Sequence, residues 1–578
     1  MVEKSRRRLL AGALVILAIA IFGMGINWGL PSHAIDPILF GAGPDSATTA
    51  LNSYNLTGVG IIRLAGDWNG NGNLPSDVAA HPIADRTQPI TLLENRHGET
   101  VTSSDDVSRA RILSRFRLYS YQPDEMISFR ALAMMHPANF QFDPKLYQYG
   151  GLWIYPLGAI VKAASLVGYV TVSPDPALYL DSPDIFGRFY ILGRAYSAAW
   201  GVVAVLAIFG FVRRISGGLL LPFLAAVCFM CMPVVIDLAH EAKPHLAGTA
   251  LLLLAILSAS KYVETGKGKW IVWTAIACGA CAGMILSGVV ALVILPVMTL
   301  VRRDRPGRFL AVCAGGFLIS IAVYFAANPY VAIHLALDRT ILESNFANTR
   351  AMYSIGDARS SIENAFRLLL SGTGLPLAGF GALGVILAPV SRLPSPVRGL
   401  GWLLGIPALI VLIQFALFAD GKPGEYARFA LLADTALMLS AFIAVARSVR
   451  SVALRFGAGM ILTAVAAMYS AAYERGFIND SLPDDSRMQA AAAIDERLAS
   501  AGQSPVLYIT AEPAPYCLPP VNLFRWRMIL LPRGGEIPAG FPAGILVKPH
   551  QAVDALNPSA TPISWANIGF DMADVGGK

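Results

Sequence analysis

The chain has 578 residues, 55% of them hydrophobic and only 14% charged, with a mean hydropathy of +0.55. Soluble domains carry about 25% charged residues, so these values exclude a soluble globular protein and indicate a polytopic membrane protein. The net charge of +7, from 45 basic and 38 acidic residues, does not imply nucleic acid. Most of the excess sits in short Lys/Arg clusters between apolar runs, where cytoplasmic loops carry it.

Lys4-Ser-Arg-Arg-Arg8 precedes an apolar run over residues 9–30. The run is too long for a signal-peptide core and has no clear cleavage site, so it predicts a first span with its N-terminus inside. Residues 31–150 are polar and rich in Gly, Asp, Asn and Pro, as expected of a large extracytoplasmic loop. The apolar stretch 151–172 is long enough to span, yet it carries Lys162. Spanning there would also leave Arg213 and Arg214 outside, so the segment is expected to lie in the outer interface.

Spans are then expected near 187–212, 218–238 and 246–264. The run 270–301 has basic clusters at both ends, so charge makes it a hairpin of two short helices broken near Ser287-Gly288. Further spans fall near 308–327, 364–390, 399–419, 427–446 and 453–472. The expected fold is all-α and polytopic, with about eleven spans, N-terminus in and C-terminus out. The multi-helix domain runs over 187–473. Residues 474–578 have a soluble composition and are expected to form a small α/β extracytoplasmic cap, with a helix at 486–501 and a strand at 506–510. No internal repeat is visible, although many secondary transporters are built from two related halves.

Three outer segments bring ionisable side chains close to helix ends. The first is Gln122-Pro-Asp-Glu125. Acids behind a proline at a helix start are favoured by the helix dipole, so a solvated first turn is the plainer reading. The chemical reading makes these carboxylates a general base or metal ligands. The second segment is His240-Glu-Ala-Lys-Pro-His245 and the third is Asp420-Gly-Lys-Pro-Gly-Glu-Tyr-Ala-Arg428. Lys243, Lys422 and Arg428 lie on the face where short loops normally lack positive charge, so each needs an anionic partner. Local acids (Glu241, Asp420 and Glu425) offer one solution, and a lipid phosphate offers another. His240 and His245 read as hydrogen-bonded structure or as metal ligands. Cys228/Cys231 and Cys278/Cys281 have CxxC spacing inside apolar helices and read as small core residues.

These motifs, in this order, resemble the GT-C glycosyltransferases, most nearly the protein O-mannosyltransferases and the lipid A aminoarabinose and galacturonic acid transferases. Trp28-Gly-Leu-Pro31 is similar to the Gly-Leu-Pro ending the first span, and Tyr121-Gln-Pro-Asp-Glu125 to the Pro-Asp-Glu box. Phe142–Tyr149 with Trp153-Ile-Tyr-Pro156 resembles the Tyr-Pro-rich stretch, and Gly193-Arg-Ala-Tyr-Ser197 the Arg-x-x-Ser opening the next span. The segment 233–244 resembles the second outer loop, and Tyr426-Ala-Arg-Phe429 the late Arg-Tyr box. The likeness covers residues 9–32 and 119–475. Two departures stand out: residues 32–118 intervene before the acidic box as an inserted subdomain, and His245 stands where relatives often carry an acid.

The resemblance implies a multi-pass inner-membrane enzyme, working on the extracytoplasmic face, that moves a sugar from a polyprenyl-phosphate donor to a lipid, glycan or protein hydroxyl. Asp124 is then the base and Glu125 a stabiliser of the oxocarbenium-like centre. Lys243 and Arg428 bind the donor phosphate, with His240 and Tyr426 in supporting roles, and segment 151–172 lines the mouth of the lipid groove. No residue is assigned to a metal, and a divalent-metal requirement stays open. The partners implied are the lipid donor, its acceptor and the bilayer, with no nucleic acid. The alternative is a transporter or flippase for a lipid-linked glycan, which would also place cations at headgroup level.

Overall fold

The computed structural model describes residues 2–41, 43, 46–53, 58, 90–93, 103–352, 355–387, 395–500, 506–511, 513–531, 537, 541–550 and 563–575. Most of the inserted subdomain, 32–118, lies outside the described residues between 54 and 102.

Among the described residues six helices are long and apolar enough to cross a membrane: Pro183–Ser216, His245–Thr265, Pro306–Ala327, Val397–Phe418, Gly424–Ser448 and Val452–Asn479. Two bent pairs raise the number to eight if each is one span. Of the remaining apolar runs, Val2–Gly23 forms one 22-residue helix that begins with its arginines. The run 270–301 is interrupted, as charge required: a helix over Gly268–Met284, a 3-10 stretch over Leu286–Val293, then Ile294–Arg302.

The break is built by close backbone approach. Ile285 is extended and forms a β-bridge with Tyr149, and the Gly150 N–H donates to the Met284 carbonyl at 3.0 Å. A Cβ on Gly150 would collide with the carbonyl of Gly283, so only glycine permits the contact. The loop before Gly151 is thereby laced to the broken helix.

The expected span over 364–390 is instead two helices, Ala358–Thr373 and Leu375–Ile386, bent by 105°. Gly374 sits at the corner with φ +85 and Pro376 follows it. Beside the corner, Thr373 donates to the buried Asp434 at 2.6 Å. Apolar content alone did not reveal this corner.

Segment 151–172 is a 16-residue helix, Gly151–Leu166, with Lys162 exposed. All six cysteines are free, and the four with CxxC spacing are buried.

The C-terminal region forms a five-stranded sheet: β1 (Ile90–Leu93), β2 (Val506–Ile509), β3 (Arg527–Leu530), β4 (Gly544–His550) and β5 (Gly569–Val575), in spatial order β1-β3-β2-β4-β5. Central β2 pairs parallel with β3 and β4, and both edge strands are antiparallel. The helix Ser486–Ser500 buries Ala491, Ile494 and Leu498. Edge strand β1 comes from the inserted subdomain, and Leu39, Phe40, Leu113 and Phe116 share one core with Leu507, Met528 and Ile545. Insert and cap, which read as separate units in the sequence, therefore share one sheet and one core.

Candidate active site

The acidic box lies on a turn before the helix Glu125–Ala133. Asp124 occupies the helix N-cap position, but its carboxylate makes no capping hydrogen bond. It turns instead towards residues far away in sequence. Arg428 donates from Nη2 to Oδ2 of Asp124 at 2.8 Å, and the Lys243 ammonium lies 3.4 Å from the same oxygen. The solvated first turn is thus excluded for Asp124.

Both cations are buried, while Asp124 keeps 27% side-chain exposure. Burial pushes the Asp124 carboxyl up, but Lys243 and Arg428 override that and hold it at about 2. Burial and Arg428 push Lys243 down, and Glu241 and Asp124 more than reverse this, so it stays charged. Each cation also meets its local acid: Lys243 Nζ is 3.2 Å from Glu241, and Arg428 Nη1 is 3.4 Å from Glu425. Local pairing and convergence on Asp124 therefore coexist. Lys422 behaves differently. Asp420 is engaged by the Ser360 hydroxyl and the Asp357 N–H, and the Lys422 ammonium sits 5.1 Å above the Tyr426 ring.

Glu125 points the other way. Its oxygens receive Nε and Nη2 of Arg194 at 2.8 and 2.7 Å, the Ala242 N–H at 2.7 Å and the Ser120 hydroxyl at 2.5 Å. Arg194 also donates to the carbonyls of Ile26 and Trp28, and Trp28 Nε1 donates to the carbonyl of His240. Ser197 reaches the carbonyls of Leu238 and Lys243. Four separated motifs thus meet at one sealed ion pair. This corrects the expectation that Glu125 faces a reacting sugar: its acceptor positions are filled, and it positions the loop that carries Lys243.

His240 needs the same correction. Its ring nitrogens face the carbonyls of Ile236 and Met24 at 2.8 and 2.6 Å, and its ring stacks on Phe477 with centroids 4.3 Å apart. Burial pushes this imidazole down to about 4. It is a structural group whose two ring nitrogens both face backbone carbonyls, leaving none open to a phosphate.

Beside Asp124 and Arg428 opens a cavity of about 400 Å³, walled by Leu252, Ile285–Val290 and the end of the helix Ser395–Phe418. Tyr149, Tyr426 and Phe429 line its charged end. Segment 151–172, expected at the mouth, contributes no lining residue. Two lining residues escaped the sequence reading. His245 was noticed but given no place in the site, and Gln414 was passed over inside an apolar run; its signal was being the sole amide or charged side chain in 399–418.

The cap reaches this site. Trp565 Nε1 donates to Glu425 Oε2 at 2.8 Å, and Arg487 donates to the Trp565 carbonyl while lying 4.1 Å above the Tyr121 ring. Among the described residues no group of three or more His, Cys, Asp or Glu is placed to hold a metal ion.

No family model matches the chain, and no curated protein matches it. Solved structures similar to it include ArnT from Cupriavidus metallidurans bound to undecaprenyl phosphate, at 14% identity and a TM-score of 0.44, covering 76% of this chain and 92% of that one. The Archaeoglobus fulgidus oligosaccharyltransferase in the apo form is 13% identical with a TM-score of 0.38, covering 72% and 64%. The Saccharomyces cerevisiae (S. cerevisiae) protein O-mannosyltransferase Pmt1-Pmt2 complex bound to the sugar donor is 14% identical with a TM-score of 0.27, covering 42% and 34%.

Proposed function

We propose that this protein is a membrane glycosyltransferase that transfers a sugar from a polyprenyl-phosphate donor to a hydroxyl group on the extracytoplasmic face of the inner membrane. The observation that carries the reading is the Asp124–Arg428 pair at the charged end of an apolar cavity, with a second buried cation, Lys243, behind it on the same carboxylate oxygen. Nε of Arg428 and Nζ of Lys243 are buried and make no hydrogen bond. Ion-paired cations with hydrogen-bond capacity left over, beside an apolar chamber, suit a ligand with an anionic head and a hydrocarbon tail.

The chemistry follows from the charges. The donor phosphodiester binds Arg428 through its fork and Lys243 as a point charge. Its negative charge then shares the cations that hold Asp124 down, so the Asp124 carboxylate becomes more basic when the donor is present. The acceptor oxygen attacks the anomeric carbon and passes its proton to Asp124. A new carbon–oxygen bond forms there as the bond to the phosphate oxygen breaks, and polyprenyl phosphate leaves with both electrons of that bond. Lys243 and Arg428 stabilise the growing charge without having to move into place. A single displacement of this kind inverts the anomeric centre. The tail extends along the wall of Ile285–Val290 and the Phe415 end of its neighbour helix.

The direct test is purified enzyme with polyprenyl-phosphate-linked sugar and an alcohol acceptor. Release of polyprenyl phosphate, dependent on acceptor and abolished in Arg428→Ala, is expected. No release with any sugar-lipid, in protein that binds none of them, would sink the proposal.

A further inference from the structure

The charged end of the cavity accounts for a phosphate and a base, but not for His245. This imidazole is 8% exposed, lines the cavity, and neither ring nitrogen has a hydrogen-bond partner. It is held edge-on between Tyr149 and Phe429, whose centroids lie 6.4 and 5.5 Å away at 85° and 80°. A buried polar group left unsatisfied is costly unless a ligand completes it. Gln414 adds an exposed amide to the same cavity. It lines the same cavity from a helix whose other residues over 399–418 are apolar or glycine, where an amide is expensive without a polar ligand.

The charges limit what that ligand is. Among the described lining residues only Asp124 and Arg428 are charged, and they are paired to each other. An ammonium on the sugar would meet Arg428 and no unpaired carboxylate in the wall, since Glu241 and Glu425 pair with Lys243 and Arg428 and do not line it. A carboxylate on the sugar would lack a cation of its own, since phosphate takes both. Hydroxyl groups suit the unused groups instead: a neutral imidazole offers one donor and one acceptor, and an amide offers both.

We infer that His245 and Gln414 form an uncharged hydroxyl-recognising subsite, which makes the donor the phosphodiester of a neutral sugar and excludes aminosugar and uronic acid donors. This rests on the donor reading above and narrows it.

The test compares four lipids by equilibrium binding to the full-length protein in nanodiscs: polyprenyl phosphate, and its neutral hexosyl, uronosyl and aminopentosyl phosphodiesters. Wild type is expected to bind the neutral hexosyl lipid about tenfold more tightly than either charged one. His245→Leu and Gln414→Leu should each weaken the hexosyl lipid by about tenfold and change polyprenyl phosphate by less than about twofold. Should His245→Leu fail to fold, the exposed Gln414 carries the same comparison. Equal or tighter binding of a charged sugar-lipid overturns the inference, as does an equal loss of polyprenyl phosphate in the variants. Wild type that ignores polyprenyl phosphate altogether overturns the donor reading itself, a distinct result.

Discussion

Asp124 and Arg428 are 304 residues apart in the chain, yet their side chains meet at 2.8 Å on the rim of the cavity. The contact puts the proposed base inside the anion site proposed for the donor phosphate. Asp124 is at once the proposed proton acceptor and the phosphate's competitor for the same two cations. That double role separates its variants sharply from those of its neighbours.

Asp124→Asn keeps the side chain's size and removes both charge and basicity. Turnover should fall by about two to four orders of magnitude. Polyprenyl phosphate should bind more tightly at the same time, because Lys243 and Arg428 are released from their shared carboxylate. The check is titration of wild type and variant with the lipid alongside turnover. Near-normal turnover would make the box structural, and weaker lipid binding would show that Asp124 and phosphate do not compete.

Glu125→Gln should fail in a different way. Its partner Arg194 is fully buried, and removing one member of a buried pair costs about 3–5 kcal/mol. The variant should lose thermal stability in detergent while the folded fraction retains most of its turnover. A full-stability variant with activity lost as in Asp124→Asn would return Glu125 to the reaction.

The split between adjacent acids explains what the sequence could and could not reveal. Cations in short loops expected outside are rare enough to announce themselves, which is why Lys243 and Arg428 were legible beside Asp124. Nothing in Asp124-Glu125 says which carboxylate faces the cavity, since that depends on Arg194 arriving from another helix. His240 and His245 posed the same problem: one ring is consumed by backbone carbonyls and the other is left open. The corner at Gly374 and the strand lent by the insert to the cap also lie beyond hydropathy, because each depends on a distant partner.

Acidification gives a signed test of the charge argument. In the free protein Asp124 sits at about 2, below its ordinary 3.8, so its contribution to stability is present above 3.8 and is lost only as pH falls through about 2. Between pH 5 and 9 it should stay ionised, and kcat/KM for the donor should show no acid limb from it. The limb in kcat should lie at higher pH, since bound phosphate draws on the cations that depress Asp124. Coincident limbs in the two profiles would show that the donor does not touch this triad.

The cap's reach into the site can be measured through Trp565. Its N–H holds Glu425, Glu425 lies 3.4 Å from Arg428, and Arg428 bonds Asp124. Trp565→Phe removes the N–H but keeps an aromatic ring, so the cap should stay docked through Arg487 and Tyr121. Glu425 is then free to pair more closely with Arg428 and draw it off the donor. The donor KM should rise several-fold with kcat nearly unchanged, and Glu425→Gln in the same background should restore it by removing the competing charge. A fall in kcat with KM unchanged, or no rescue by the second substitution, would mean that Trp565 serves only to anchor the cap.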